Sequence, residues 1–319
     1  MLKKFISLLL LLITLVLSVS GCTSVKKEKV TVLCTVFPIY DWVRNVVGDS
    51  ENIEVKLLVS GGADLHSYQP SVDDVIDIRS ADLVVRVGGN DDSFVGELLS
   101  EGKGKDLRLM ENEQIKLCHI SKSSHGHNHE HEEDHGHGHE HTTDEHIWLS
   151  LGNAEISVNA ICTALSELGT KSADKFKANA DGYIEKIRKL DEKYKSAVSE
   201  RKEPKLIFAD RFPFVYLTED YGIEYEAAFE GCSTEADASF ETVLRMAKRL
   251  DEWSLPYVCV TESSDRKLAD AIIRASSKMT VKILVLDSMQ SVTEKDIESG
   301  ITYIGIAEKN LATLTSALS

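Results

Sequence analysis

Apolar and polar positions alternate in two rhythms along this chain. From residue 29, "KVTVLCTVF" is a near-continuous apolar run of strand length, and "PIYDWVRNVVGD" then repeats apolar residues at helical spacing. Pro38 suits the opening of that helix and Gly48 its close. "IEVKLLV", "SVDDVIDIRSA" and "DLVVRVG" continue the alternation as strand, helix and strand. After residue 204 the same rhythm returns. "KLIFAD", "IEYEAAF", "YVCVTE" and "VKILVLD" read as strands, with "FETVLRMAKRLDEW" and "DRKLADAIIRASSKM" as amphipathic helices among them. Strand–helix alternation builds parallel sheets with helices packed on them, so the pattern predicts an α/β protein of two lobes.

Between the lobes, Phe176, Ala180, Tyr183, Ile184, Ile187, Leu190, Tyr194 and Val198 recur at spacings of three and four. They form one apolar stripe on a long helix that Pro204 ends. A spine joining the lobes fits this length better than a crossover. A coiled-coil dimer is the other reading, but its stripe would be short and its flanking charges are unpatterned.

The chain's start has a different pattern. Lys3 and Lys4 precede the apolar run "FISLLLLLITLVLSV", which is shorter than the ~20 residues a membrane span needs. The run ends in "VSGC", resembling a bacterial lipobox with Cys22 as the lipidated first residue; a plain secretory signal is the alternative. Expected divisions are therefore a signal peptide (1–21), a tether (22–29), an N-terminal lobe (30–170), a linking helix (171–203) and a C-terminal lobe (204–319). The place of action would be extracytoplasmic, at the membrane surface.

Removing the leader deletes two lysines and no acid, taking the formal net charge from −16 to −18. That balance disfavours nucleic acid and phosphate-rich partners and suits metal cations. Beyond Cys22, the cysteines at 34, 118, 162, 232 and 259 contain no C-x-x-C pair and read mostly as buried thiols rather than a disulfide framework, with a single unassigned bridge as the alternative.

Candidate chemistry concentrates in histidine. Nine of the eleven lie in "SSHGHNHEHEEDHGHGHEHTTDEHIWLS". The tract has almost no apolar residues, so residues 121–143 are expected to form a disordered loop. Its "HEEDH" satisfies the zinc-peptidase pattern H-E-x-x-H, but that motif needs a stable helix to place both imidazoles on one face. Glycine-flanked and polar on every side, this stretch lacks one. As a set, His125, His127, His129, His131, His135, His137, His139 and His141 should bind zinc, copper or nickel weakly, without the fixed geometry that selectivity requires. An inert solvated linker is the bland alternative. His66 and His146 are different. His66 sits in a glycine-rich loop between a strand and a helix, where open α/β sheets bind ligands, and His146 precedes an apolar segment. His119, beside Cys118, reads as structural.

"GADLHSYQPS", the histidine-rich insertion, "DEHIWLSLGNA", the long helix, "GCSTEADASFETV" and "VTESSDRKLA" occur in that order. Over nearly all the chain beyond the leader, this resembles the zinc/manganese substrate-binding lipoproteins of bacterial ABC importers. The resemblance implies two lobes bridged by a long helix, metal in the cleft between them, small lobe motion, a monomer and an ABC permease as partner. It puts the first two histidine ligands on His66 and His146 and a late carboxylate ligand on Asp287. Two departures stand out. Leu65 replaces a proline, and in "ADRFPFVYLTEDYG" Arg211 occupies the position of the third histidine, with Asp210 as the expected substitute and Glu262 as a further carboxylate in reserve. Two imidazoles with two carboxylates shift preference toward manganese, whereas the histidine tract favours zinc; zinc is the expected cargo, with manganese open. Neutral imidazole is required, so affinity should fall as pH drops through about 6.5. A secreted zinc hydrolase with Glu262 as base, or an adhesin stabilised by metal, are the rival classes.

Overall fold

The computed structural model describes residues 29–62, 64–121, 141–169, 171–229, 231, 238–277 and 280–318. The leader and tether as far as residue 28, and 122–140 of the histidine-rich stretch, lie outside the described residues.

A first parallel sheet has the order β2-β1-β3-β4, from β1 (Val30–Cys34), β2 (Ile53–Leu57), β3 (Leu83–Arg86) and β4 (Lys105–Arg108). Helices α1 (Phe37–Val47), α2 (Val72–Ser80) and α3 (Ser93–Leu99) connect the strands. Helix α1 has Pro38 in its first turn and stops at Gly48, whose φ is +61°. A side chain there would also come within 2.7 Å of the Asn179 amide, so only glycine meets both demands. Helix α2 opens on a reciprocal cap between Ser71 and Asp74.

A second parallel sheet repeats the plan in the order β10-β9-β7-β8, from β7 (Lys205–Phe208), β8 (Glu224–Ala227), β9 (Tyr257–Thr261) and β10 (Lys282–Leu286). Before it come α4 (Leu151–Ser166) and α5 (Ala173–Ser199); around it lie α6 (Val215–Tyr221), α7 (Phe240–Glu252), α8 (Lys267–Ala275), α9 (Glu294–Glu298) and α10 (Tyr303–Ala317). Alternation along β7 decides which core each residue joins. Leu206 and Phe208 enter the large core shared with the first lobe, while Ile207 and Ala209 enter a smaller one with Met246, Leu250 and Ile272 beneath α7 and α8.

The α5 helix runs 27 residues, about 40 Å at 1.5 Å per residue. Its buried residues are the eight of the predicted stripe. It is fastened to both halves. Asn179 donates to the Val46 carbonyl and Tyr183 to the Asp41 carboxylate, whereas the Tyr194 hydroxyl donates to Ala307 of α10.

The expected loop from 121 to 143 is corrected at its ends. A short antiparallel pair, β5 (His119–Ser121) with β6 (His141–Thr143), closes the base of the stretch. Ladder hydrogen bonds satisfy the backbone there, which the polar composition of the segment does not reveal. Of the cysteines, 34, 118, 162 and 259 are free thiols, and burial pushes those of Cys118 and Cys259 up to about 11 and about 12. Cys22 and Cys232 lie outside the described residues. Among the described residues no helix is long and apolar enough to cross a membrane.

Candidate metal centre

The two sheets meet carboxyl end to carboxyl end. Residues just past β2 face residues just past β7 and β10: the Ser60 hydroxyl donates to Glu294, and Arg211 Nη1 lies 3.5 Å from Asp64 Oδ2. Deeper in, Trp148 Nε1 donates to the Ser288 carbonyl and Tyr303 to the Trp148 carbonyl. In this cleft stand the two histidines that the sequence singles out.

His66 lies in a single 3₁₀ turn, Leu65–Ser67, capped by Asp64, whose carboxylate accepts the His66 backbone N–H. His146 precedes a second such turn, Ile147–Leu149, and is 2% exposed. Their Nε2 atoms are 3.3 Å apart. Zinc–imidazole bonds of 2.0–2.1 Å at tetrahedral angles put adjacent nitrogens about 3.3–3.4 Å apart, so the separation suits two ligands of one ion as well as a hydrogen bond between the rings.

Each ring is held from behind. His66 Nδ1 is 2.6 Å from Asp91 Oδ2, and His146 Nδ1 is 2.9 Å from Asp144 Oδ1, which also accepts the His146 backbone N–H. A proton on Nδ1 would satisfy each carboxylate and leave Nε2 for a metal ion, as in the outer layer of a histidine metal site. Glu145 adds a third carboxylate, accepting from the backbone N–H groups of Asn90 and Asp91. Burial first, and then the negative charge of Asp91, push the Glu145 carboxyl well above its ordinary value. For Asp91 burial acts upward too, but the hydrogen bond and charge of His66 outweigh it and the carboxyl moves down. The two neighbouring carboxyls are thus pushed in opposite directions, Glu145 up and Asp91 down. Gly89 makes this possible: a Cβ there would lie 2.1 Å from the Glu145 carboxyl carbon.

The sequence reading missed Asp91, Asp144 and Glu145. One signal was available. Asp144, Glu145 and His146 are three consecutive polar residues running straight into the apolar "IWL", and all three are buried, which is costly unless each is paired.

From the second lobe, Asp287 follows β10. Its Oδ1 accepts the Met289 N–H, and its own N–H and carbonyl are paired with the Asn310 amide. Burial and the neighbouring Glu262 charge raise its carboxyl to about 6. Met289 holds a φ of +66°, a strained backbone maintained beside this carboxylate. The other two carboxylates are engaged within their own lobe. Asp210 Oδ2 accepts the Thr261 N–H and hydroxyl while Oδ1 accepts the Arg211 N–H. Glu262 accepts the N–H and hydroxyl of Ser288. The structure thus brings His66 and His146 together, and among the described residues no three His, Cys, Asp or Glu side chains gather as a metal cluster. The tract from His125 to His139 lies outside the described residues, and His119 Nδ1 pairs with the Thr143 hydroxyl at 3.2 Å.

A two-lobed α/β protein with a helical spine and a carboxylate-backed histidine pair in its cleft has the layout of a metal-binding protein. Residues 32–317 match the family described as zinc-uptake complex component A, periplasmic (ZnuA), and the chain belongs to that family. The zinc-binding lipoprotein AdcA of Streptococcus pneumoniae is 31% identical over 314 residues, covering 98% of this chain and 60% of that protein. The high-affinity zinc uptake system protein ZnuA of Bacillus subtilis is 26% identical, covering 94% of this chain and 91% of its own length. The chain spans little more than half the length of the AdcA relatives it matches. Among solved structures, the Zn(II)-bound ZnuA-like domain of S. pneumoniae AdcA aligns with TM-score 0.71 and 27% identity, over 91% of this chain and 99% of that one.

Proposed function

We propose that this protein captures zinc outside the cytoplasmic membrane and delivers it to an ABC importer, anchored through a lipid on Cys22. The observation that carries the reading is the pair of Nε2 atoms at 3.3 Å, each ring backed by its own carboxylate. His66 and His146 are the imidazole ligands, and Asp287 is the anionic ligand from the opposite lobe. Zinc is favoured over manganese because the prebuilt part of the site is imidazole, a donor that suits zinc better. Asp210 and Glu262, engaged by Thr261 and Ser288, serve as support. A binding role rather than hydrolysis fits a cleft in which Glu262, the one residue cast as a base, is already held by two donors. The histidine-rich tract raises local metal concentration without being the cargo site.

The test is a zinc titration of stripped protein, against a chromophoric competitor, with residues 122–140 replaced by a short turn joining β5 to β6. One tight site that survives this deletion and is lost in His66→Ala supports the cleft. Tight binding that vanishes with the tract would overturn the assignment.

A further inference from the structure

Arg211 stands where the resemblance expects a histidine, and an arginine cannot ligate zinc. Its surroundings suggest a different task. Asp210 is pinned to the end of β9 by both the N–H and the hydroxyl of Thr261, and its other oxygen accepts the Arg211 N–H. The backbone at Arg211 is thereby fixed to the second lobe. The side chain then crosses the cleft to Asp64, Nη1 to Oδ2 at 3.5 Å. Asp64 is not an incidental acid. Its Oδ1 accepts the His66 N–H at 3.1 Å and lies 3.9 Å from His66 Nε2. The line of contacts therefore runs from Thr261 through Asp210, Arg211 and Asp64 to the turn that carries His66.

We infer that Arg211 is a positioning residue for the metal site: from the second lobe it orients the Asp64 carboxylate, which holds the His66 turn at ligating distance from His146. A histidine at this position would tie the lobes together only through a bound ion. The guanidinium makes the connection without one, and its charge is matched by Asp64. This inference rests on the reading of His66 and His146 as zinc ligands.

The experiment compares zinc affinity of the full chain with that of R211A, R211K, D64A and the D64A/R211A double variant, and records the visible absorption of each loaded with cobalt(II). Supporting residues of metal ligands are worth roughly 10- to 100-fold in affinity; for this longer, partly exposed contact R211A should lose about tenfold. The double variant should be no weaker than D64A alone, because the two act along one line. R211K, which keeps the charge, should recover part of the loss and the native cobalt spectrum. Arg211 is 42% exposed at its side chain, so R211A should fold, which circular dichroism verifies. Zinc affinity unchanged or tighter in R211A, or losses that simply add in the double variant, would overturn the inference. His66→Ala separates the levels. If His66→Ala loses tight binding while R211A keeps it, only the positioning role falls; if His66→Ala itself binds tightly, the metal site falls with it.

Discussion

One wall of the cleft carries imidazoles that already face each other at ligand spacing, each braced by an anion. The opposite wall carries three carboxylates, two of them each accepting two or more hydrogen bonds from their own lobe. The first wall draws on loops far apart in the chain, yet its rings stand side by side; the second offers Asp287, whose carboxyl burial and the Glu262 charge push up to about 6. Were His66, His146 and Asp287 to hold zinc as proposed, the first wall would supply two nitrogens already side by side and the second would add the Asp287 carboxylate.

The largest effects should fall on the first wall. His146→Ala and His66→Ala should each weaken zinc binding by at least ~100-fold, more than the loss of any supporting group. Competition titration measures this, and an equal loss in Asp287→Asn would break the asymmetry between the walls. Next come the braces. Asp91→Asn and Asp144→Asn should cost roughly 10- to 100-fold, because an amide no longer holds the Nδ1 proton as an anion does. Asp210→Asn and Glu262→Gln should cost less than either. A greater loss in Asp210→Asn would make it a direct ligand.

Much of the architecture was legible because it is written in periodicity. The strands of both sheets other than β4 coincide with the apolar runs to within a few residues, and the stripe from Phe176 to Val198 is the buried face of α5. The strand β4, "KDLR", was not legible: an edge strand whose three charged residues are all exposed has no period to detect. His66 and His146 stood out because histidine is otherwise scarce outside the tract. What the chain could not disclose is pairing across distance. Nothing local joins Asp91 to His66, or shows that Asp210 turns toward Thr261. Those contacts exist only once the loops at the strand ends are brought together, and Gly89 is explicable only when the Glu145 carboxylate lies against it.

Asp287 also gives the second wall a pH signature. Its carboxyl is raised in the folded protein to about 6 from an ordinary value of 3.8. The folded state then holds a proton that the unfolded state has released, so the contribution to stability is present below about pH 4 and is lost as pH rises through about 6. Metal-free Asp287→Asn should therefore match the native protein near pH 4 and melt at a higher temperature by pH 7. Calorimetry across that range measures the difference, and zinc should reverse it by pairing the buried charge. A constant difference between the two proteins would place the titration elsewhere.

The smallest effect probes what joins the walls. Trp148 Nε1 reaches over the cleft floor to the Ser288 carbonyl, next to Asp287, while the Trp148 ring packs edge-on against His146 at 5.2 Å between centroids. Trp148→Phe keeps most of the apolar bulk and removes the donor, leaving a buried carbonyl short of a partner, so it should destabilise the metal-free protein by about 1–2 kcal/mol. Zinc affinity should fall by only a few-fold, since both imidazoles keep their carboxylates and only the alignment of Asp287 is loosened. Denaturant melts and zinc titration of the same variant separate the two. A zinc loss as large as that of Asp144→Asn would mean that the second lobe positions the ion as firmly as the first, and the contrast between the walls would not survive it.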